Sequence, residues 1–148
     1  MIAMTNSEAS RLVLRNDVAE LKRLAGWIEG FTQKRTSADV SFAVQLCLEE
    51  AVANIIMYGA GRGDPLEIAV ELERNGKNLV ARVEDNGRQF DPTRAPRPIP
   101  ARSLEEAKVG EVGIHLMRSF ASGMDYERRE GRNRLTLRFF EPPGPPVE

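Results

Sequence analysis

Several things are scarce in this sequence. It has one cysteine and one histidine in 148 residues. One cysteine cannot close an internal disulfide, and with a single histidine it cannot assemble a tetrahedral zinc site. Apolar runs are only a few residues long, short of what a bilayer crossing needs, so no membrane contact is expected. Neither sign of charge dominates: 21 Lys and Arg face 22 Asp and Glu, a net charge of −1. That balance speaks against direct, mainly electrostatic binding of nucleic acid. The opening residues, MIAMTNSEAS, lack the charged-then-apolar layout of a secretory leader. Apolar residues make up 41% and charged residues 29%, enough to bury a core and keep a wet surface. The expectation is a cytoplasmic, globular chain of one domain.

Proline marks where regular structure pauses. Four of the nine prolines lie in 92–100 and four in 142–146. The ending EPPGPPVE, 141–148, cannot join a helix or sheet and reads as a disordered tail. The internal segment PTRAPRPIPARSLEEAK, 92–108, is polar and rich in Pro and Arg. A loop of that length inside a compact domain is usually functional.

Between these breaks the hydrophobic period alternates. Leu12 and Leu14 suggest a first short strand. Val18, Leu21, Leu24, Ile28 and Phe31 recur at helical spacing from Asp17. Thr36, three residues before Asp39, reads as a capping box that opens a long helix to about Tyr58, closed by Gly59 and Gly61. This helix is apolar on more than one side and should pack centrally. Two alternating runs, around Leu66–Leu72 and Leu79–Val83, flank an Asn75-Gly76 turn, a hairpin signal. A helix from about Gly113 to Ser122 follows. Strands around Met124 and Tyr126, and Leu135 to Phe139, flank a turn at Gly131. The order β-α-α-β-β-loop-α-β-β predicts an α+β two-layer sandwich. Its sheet should be mixed but mostly antiparallel, with helices on one face.

Three segments could carry chemistry. In EEAVAN, Glu50 and Asn54 are four apart on the long helix, about 6 Å along its axis and on one face. A carboxylate can accept a proton, and an amide oxygen is a hard ligand suited to Mg²⁺. Glu49 points about 100° away. In VEDNGRQFDP, Asp85 ends a strand and can accept from an exocyclic amine, while Gly87 would let a ring approach the backbone. In GEVGIHLM, glycines open a helix whose first amides favour phosphate. Each alone also has a plain reading: solvated residues on a helix stripe, a simple turn, a flexible helix entry.

Together, in this order, the three resemble the GHKL (Bergerat-fold) ATPases. The chain is most similar to their short anti-sigma-factor serine kinases of bacterial partner switching. EEAVANIIMYG looks like the N box, VEDNGRQFDP like the G1 box, and GEVGIHLMRSFASGMDY like the G2 region; NRLTLRFF matches the family's ending. The resemblance implies one ATP-binding domain over 8–140 with a lid at 92–109, and ATP and Mg²⁺ as cofactors. It implies that Asn54 holds Mg²⁺ and that Glu50 is the general base. Asp85 would read the adenine amino group, supported through water by Thr136, with Gly87 against the ring. Gly110 and Gly113 would admit the phosphates, and Lys108 (or Arg102) would reach the γ-phosphate. Its implied partners are a STAS-domain anti-sigma antagonist as substrate, a sigma factor to be sequestered, and a second copy in a homodimer.

Departures from the pattern are Gln89, where a second G1 glycine is common, and Glu111-Val112 in the G2 run. They keep a second reading open, an ATP-binding module that regulates a partner by binding alone. The remaining distinctive residues take plain readings: Cys47 and Trp27 as packing residues, His115 as a surface histidine, and ERREGRNR (127–134) as a solvated hairpin or a partner-facing patch.

Overall fold

The computed structural model describes residues 7–59, 65–94 and 116–141. Five strands form one sheet: β1 (Ser7–Arg15), β2 (Glu67–Asn75), β3 (Asn78–Asp85), β4 (Gly123–Arg129) and β5 (Arg132–Phe140). Their spatial order is β1-β2-β3-β5-β4, and all four described pairings are antiparallel. Helices α1 (Glu20–Thr32) and α2 (Ala38–Tyr58) cover one face. Residues 116–120 are helical too. The expected α+β sandwich is the observed one.

Alternation sets the faces. Leu79, Ala81 and Val83 of β3, and Leu135, Leu137 and Phe139 of β5, turn inward and are buried. They meet Val44, Cys47, Leu48, Ala51 and Val52 of α2 in one core. The outward face is laced with ion pairs, including Arg11–Glu71, Arg82–Glu73 and Arg132–Glu67. By length and mean hydropathy (1.5), α2 could cross a bilayer. Here its apolar side faces the sheet, as a core helix does.

Two hairpins are built by turns that match the twist of their strands. Gly76, at φ 64°, begins the two-residue Gly76-Lys77 connection, one position on from the expected Asn75-Gly76. Glu130 (φ 52°) and Gly131 (φ 75°) form the other, with the two positive φ values of a type I′ turn.

The start of α2 differs from expectation by one residue. Ser37, not Thr36, is the N-cap, its hydroxyl accepting from the Val40 amide at 3.2 Å. The Thr36 hydroxyl instead donates back to the Thr32 carbonyl at 3.1 Å. Gly59 does cap the C-terminus, but with helical φ and ψ rather than a left-handed turn. Gly61 lies outside the described residues.

Candidate nucleotide site

The long helix carries Glu50 near its middle and Asn54 in its last turns, and it ends beside the turn that follows β3. The Gly59 carbonyl, at the end of α2, accepts from the Arg88 amide at 3.0 Å, just beyond β3. Asn54 lies five residues before that contact and Glu50 nine, about 7 and 13 Å back along the helix. Asp85 ends β3 two residues before Gly87. Asp85 and Gly87 thus lie at the C-terminal end of α2, with Asn54 and then Glu50 further back along the same helix.

Gly87 has a packing reason to be glycine. A methyl there would stand 2.4 Å from the Gly59 carbonyl oxygen and 2.9 Å from Asp85 Oδ1. The helix end and the turn can approach only because no Cβ intervenes.

Asp85 is buried, at 4% exposure, and braced. Its Oδ1 accepts from the Gly87 amide at 2.8 Å and from Asn133 Nδ2 at 3.0 Å. Both of these bonds fall on Oδ1, which leaves Oδ2 open to another donor among the described residues. Burial raises its pKa above the ordinary 3.8; the bonds from Asn133 and Gly87, and the charges of Arg128 and Arg132, oppose that rise.

Glu50 is half-buried, and its pKa is also raised. Desolvation is the larger cause and the neighbouring Glu49 carboxylate the smaller. A carboxylate held in this way is a stronger base than a surface one. Asn54 is 9% exposed, yet its Nδ2 has no hydrogen-bond partner among the described residues. A buried amide with an unmade bond is costly to keep for stability alone. Its residue type fits a Mg²⁺ ligand, because one amide oxygen suffices where phosphates and water complete an octahedron. Among the described residues there is no cluster of three or more His, Cys, Asp or Glu able to hold a metal unaided.

The support for Asp85 is Asn133, and this corrects the expectation for Thr136. Thr136 alternates outward on β5 with Arg134 and Arg138, opposite Arg82 and Asp125 in register. Asp85 faces inward, so the two lie on opposite sides of the sheet. Asn133, paired in register with Asp85, is buried and uses both ends of its amide. Nδ2 donates to Asp85 and to the Arg88 carbonyl at 2.7 Å. Oδ1 accepts from the Phe90 amide at 3.3 Å and from the Tyr126 hydroxyl.

Other residues complete the surround. Arg128 donates to the Gly87 carbonyl at 2.8 Å. Asn86 ties the turn to β2, accepting from the Glu67 amide at 2.7 Å and donating to the Pro65 carbonyl at 3.0 Å. Arg118 donates to the carbonyls of Pro92 and Thr93 at 3.0 and 2.7 Å. It thereby joins the helical residues 116–120 to the 3₁₀ turn Pro92–Arg94. The hairpin at 127–134 is thus not wholly solvated, since Arg128 and Asn133 turn inward. Their place in the alternation of β4 and β5 was the available signal; Arg118 had none.

Lys108, Gly110, Gly113, Arg102 and His115, with most of the expected lid, lie outside the described residues. Cys47 packs as expected: it is fully buried, and burial pushes its thiol up to about 12. Trp27 packs against the core and donates to the Ser10 hydroxyl at 3.0 Å.

Known proteins share this architecture. The sequence matches the histidine kinase-like ATPase domain family over residues 14–139. It is 38% identical, over 112 residues, to the serine/threonine-protein kinase BtrW of Bordetella bronchiseptica, a match covering 75% of this chain and 79% of that one. The fold resembles the RsbU and RsbW domains of a Mycobacterium tuberculosis protein, with TM-score 0.63, 14% identity and 88% of this chain covered. It also resembles the histidine kinase domain of a blue-light activated kinase from Erythrobacter litoralis, with TM-score 0.51, 15% identity and 81% covered. The chain spans 32% of the mycobacterial structure and 58% of the Erythrobacter one. It belongs to the histidine kinase-like ATPase family, the GHKL or Bergerat-fold ATPases. Within that family it falls with the anti-sigma-factor kinase type.

Proposed function

We propose that the chain is a Mg²⁺- and ATP-dependent protein serine kinase of a partner-switching system. The observation that supports this reading is the buried Asp85, braced on Oδ1 by Gly87 and Asn133 and with no hydrogen bond to Oδ2 among the described residues, close to the C-terminal end of the helix that carries Glu50 and Asn54. Likeness to BtrW, a named serine/threonine-protein kinase, supports it.

In this reading Asp85 accepts the adenine amino group, fixed by Gly87 and Asn133. Asn54 would hold Mg²⁺, which supplies charge neutralisation on the phosphates. Gly110 and Gly113 admit the phosphates, and Lys108 or Arg102 reaches the γ-phosphate. Glu50 takes the proton of the substrate serine as its oxygen bonds to the γ-phosphorus. The bond from that phosphorus to the β–γ bridging oxygen breaks, and ADP leaves. Positioning and charge account for most of such catalysis. The substrate is a STAS-type anti-sigma antagonist. The chain acts in the cytoplasm as a homodimer and sequesters a sigma factor.

The test is ATP binding by calorimetry and transfer of labelled phosphate to the antagonist. Asn54→Ala should lose Mg²⁺-dependent binding. Glu50→Gln should bind ATP and lose transfer by about 100-fold or more. Transfer left intact in Glu50→Gln would remove the base from Glu50. Tight ATP binding without transfer by the wild type would make the chain a regulatory binding module.

A further inference from the structure

The end of the molecule away from Asp85 carries a cavity of about 370 Å³. It lies between the α1–α2 connection, the Gly76-Lys77 turn and the end of β5. Asn78, at its rim, is seven residues from Asp85 along β3, about 23 Å. Four cations line it: Lys34, Arg35, Arg74 and Lys77. Lys34 and Lys77 come from different loops, are exposed, and make no ion pair among the described residues. Arg74 donates to the Arg35 carbonyl and to Glu8, but its Nε is buried without a partner there.

Two carboxylates answer the four cations. Glu8 bridges Arg35 and Arg74, and the Arg35 hydrogen bond holds its pKa below the ordinary value, so it stays ionised. Glu141 places both carboxylate oxygens on the Ser37 amide, at 3.1 and 3.3 Å, at the start of α2. The chain's own carboxylate thus sits among these cations, at the wall of the cavity. A surplus of two positive charges remains, centred on the unpaired lysines. A phosphate monoester carries about −1.5 to −2 near neutral pH and offers three acceptor oxygens.

We propose that this cavity binds a phosphate monoester or free phosphate through Lys34, Lys77 and Arg74, beside Glu141 and apart from the nucleotide site. A carboxylate peptide fits less well, because single charges would leave part of the surplus unmet. Glu141 already satisfies the helix start and is a like-charged neighbour that weakens the site.

The test is amide NMR of the full chain, titrated at low ionic strength with inorganic phosphate and with O-phosphoserine. Saturable shifts are expected at residues 34–37 and 76–78. The Lys34→Ala/Lys77→Ala double variant, altered only at exposed positions, should weaken binding about tenfold, and Glu141→Gln should strengthen it about threefold. Tighter binding of phosphate would mark a small anion as the ligand, and tighter binding of O-phosphoserine a modified side chain. No shift at these amides, shifts confined to residues 85–90, or affinity unchanged in the double variant would each overturn the assignment.

Discussion

Replacing Asn133 with alanine should be among the most damaging single changes near the site. The side chain makes four hydrogen bonds, to Asp85, Arg88, Phe90 and Tyr126. A neutral bond contributes about 1 kcal/mol and one to a carboxylate about 1.5–3 kcal/mol. Water entering the gap would recover part, so a loss of about 3–5 kcal/mol is expected near neutral pH. The pH dependence has a definite sign. The pKa of Asp85 is already raised by burial, and the Asn133 bond opposes that rise. Without Asn133 it climbs further. The folded state then carries a penalty at neutral pH that is relieved as pH falls through the raised value, because the folded form holds the proton more tightly. Urea unfolding at several pH values measures this. Thr136→Ala is the control: it faces outward and should change stability by no more than about 0.5 kcal/mol and leave ATP affinity alone. Equal effects of the two substitutions, or loss of ATP binding in Thr136→Ala alone, would refute the assignment of Asn133.

Two further outcomes follow from the same geometry. Glu49→Gln removes the lesser cause of the raised Glu50 pKa, so the acid limb of the phosphate-transfer pH profile should move to lower pH. It should stay above the ordinary 4.5, because desolvation, the larger cause, remains. Gly87→Ala sets a methyl against the backbone oxygen of Gly59, which cannot rotate away. It should cost about 1–3 kcal/mol in thermal unfolding and weaken ATP binding by displacing the amide that holds Asp85.

The legible parts were those with a strong period or a fixed spacing. The inward alternation of Leu79, Ala81 and Val83, and of Leu135, Leu137 and Phe139, announced both strands and their faces. Glu50 and Asn54 were readable because a four-residue step on an apolar helix leaves polar groups conspicuous. Asn133 was hidden although it obeys the same alternation. It sits among Arg132, Arg134 and other polar residues, so its burial depends on strand register, which pairs it with Asp85 from 48 positions away. Thr136 looked suitable by type and strand, but a shift of odd number along a strand changes the face. The cap of α2 slipped by one residue because Thr36 and Ser37 can both accept from a helix amide. Only the backbone path out of α1, where the Thr36 hydroxyl turns back to Thr32, decides between them.

Four of the five strands come as two hairpins, β2–β3, flanked by β1, and β4–β5, joined where β3 lies beside β5. Asp85 belongs to the first and Asn133 to the second, and Arg128 reaches from the second to Gly87 of the first. Neither hairpin alone holds both Asp85 and the side chains that brace it. A nucleotide gripping Asp85 would therefore act as a clasp across the joint, holding together halves that are far apart in the chain. Its binding energy would count toward the cohesion of the whole domain, and a chain severed between 94 and 116 would have in that ligand a reason to reassemble.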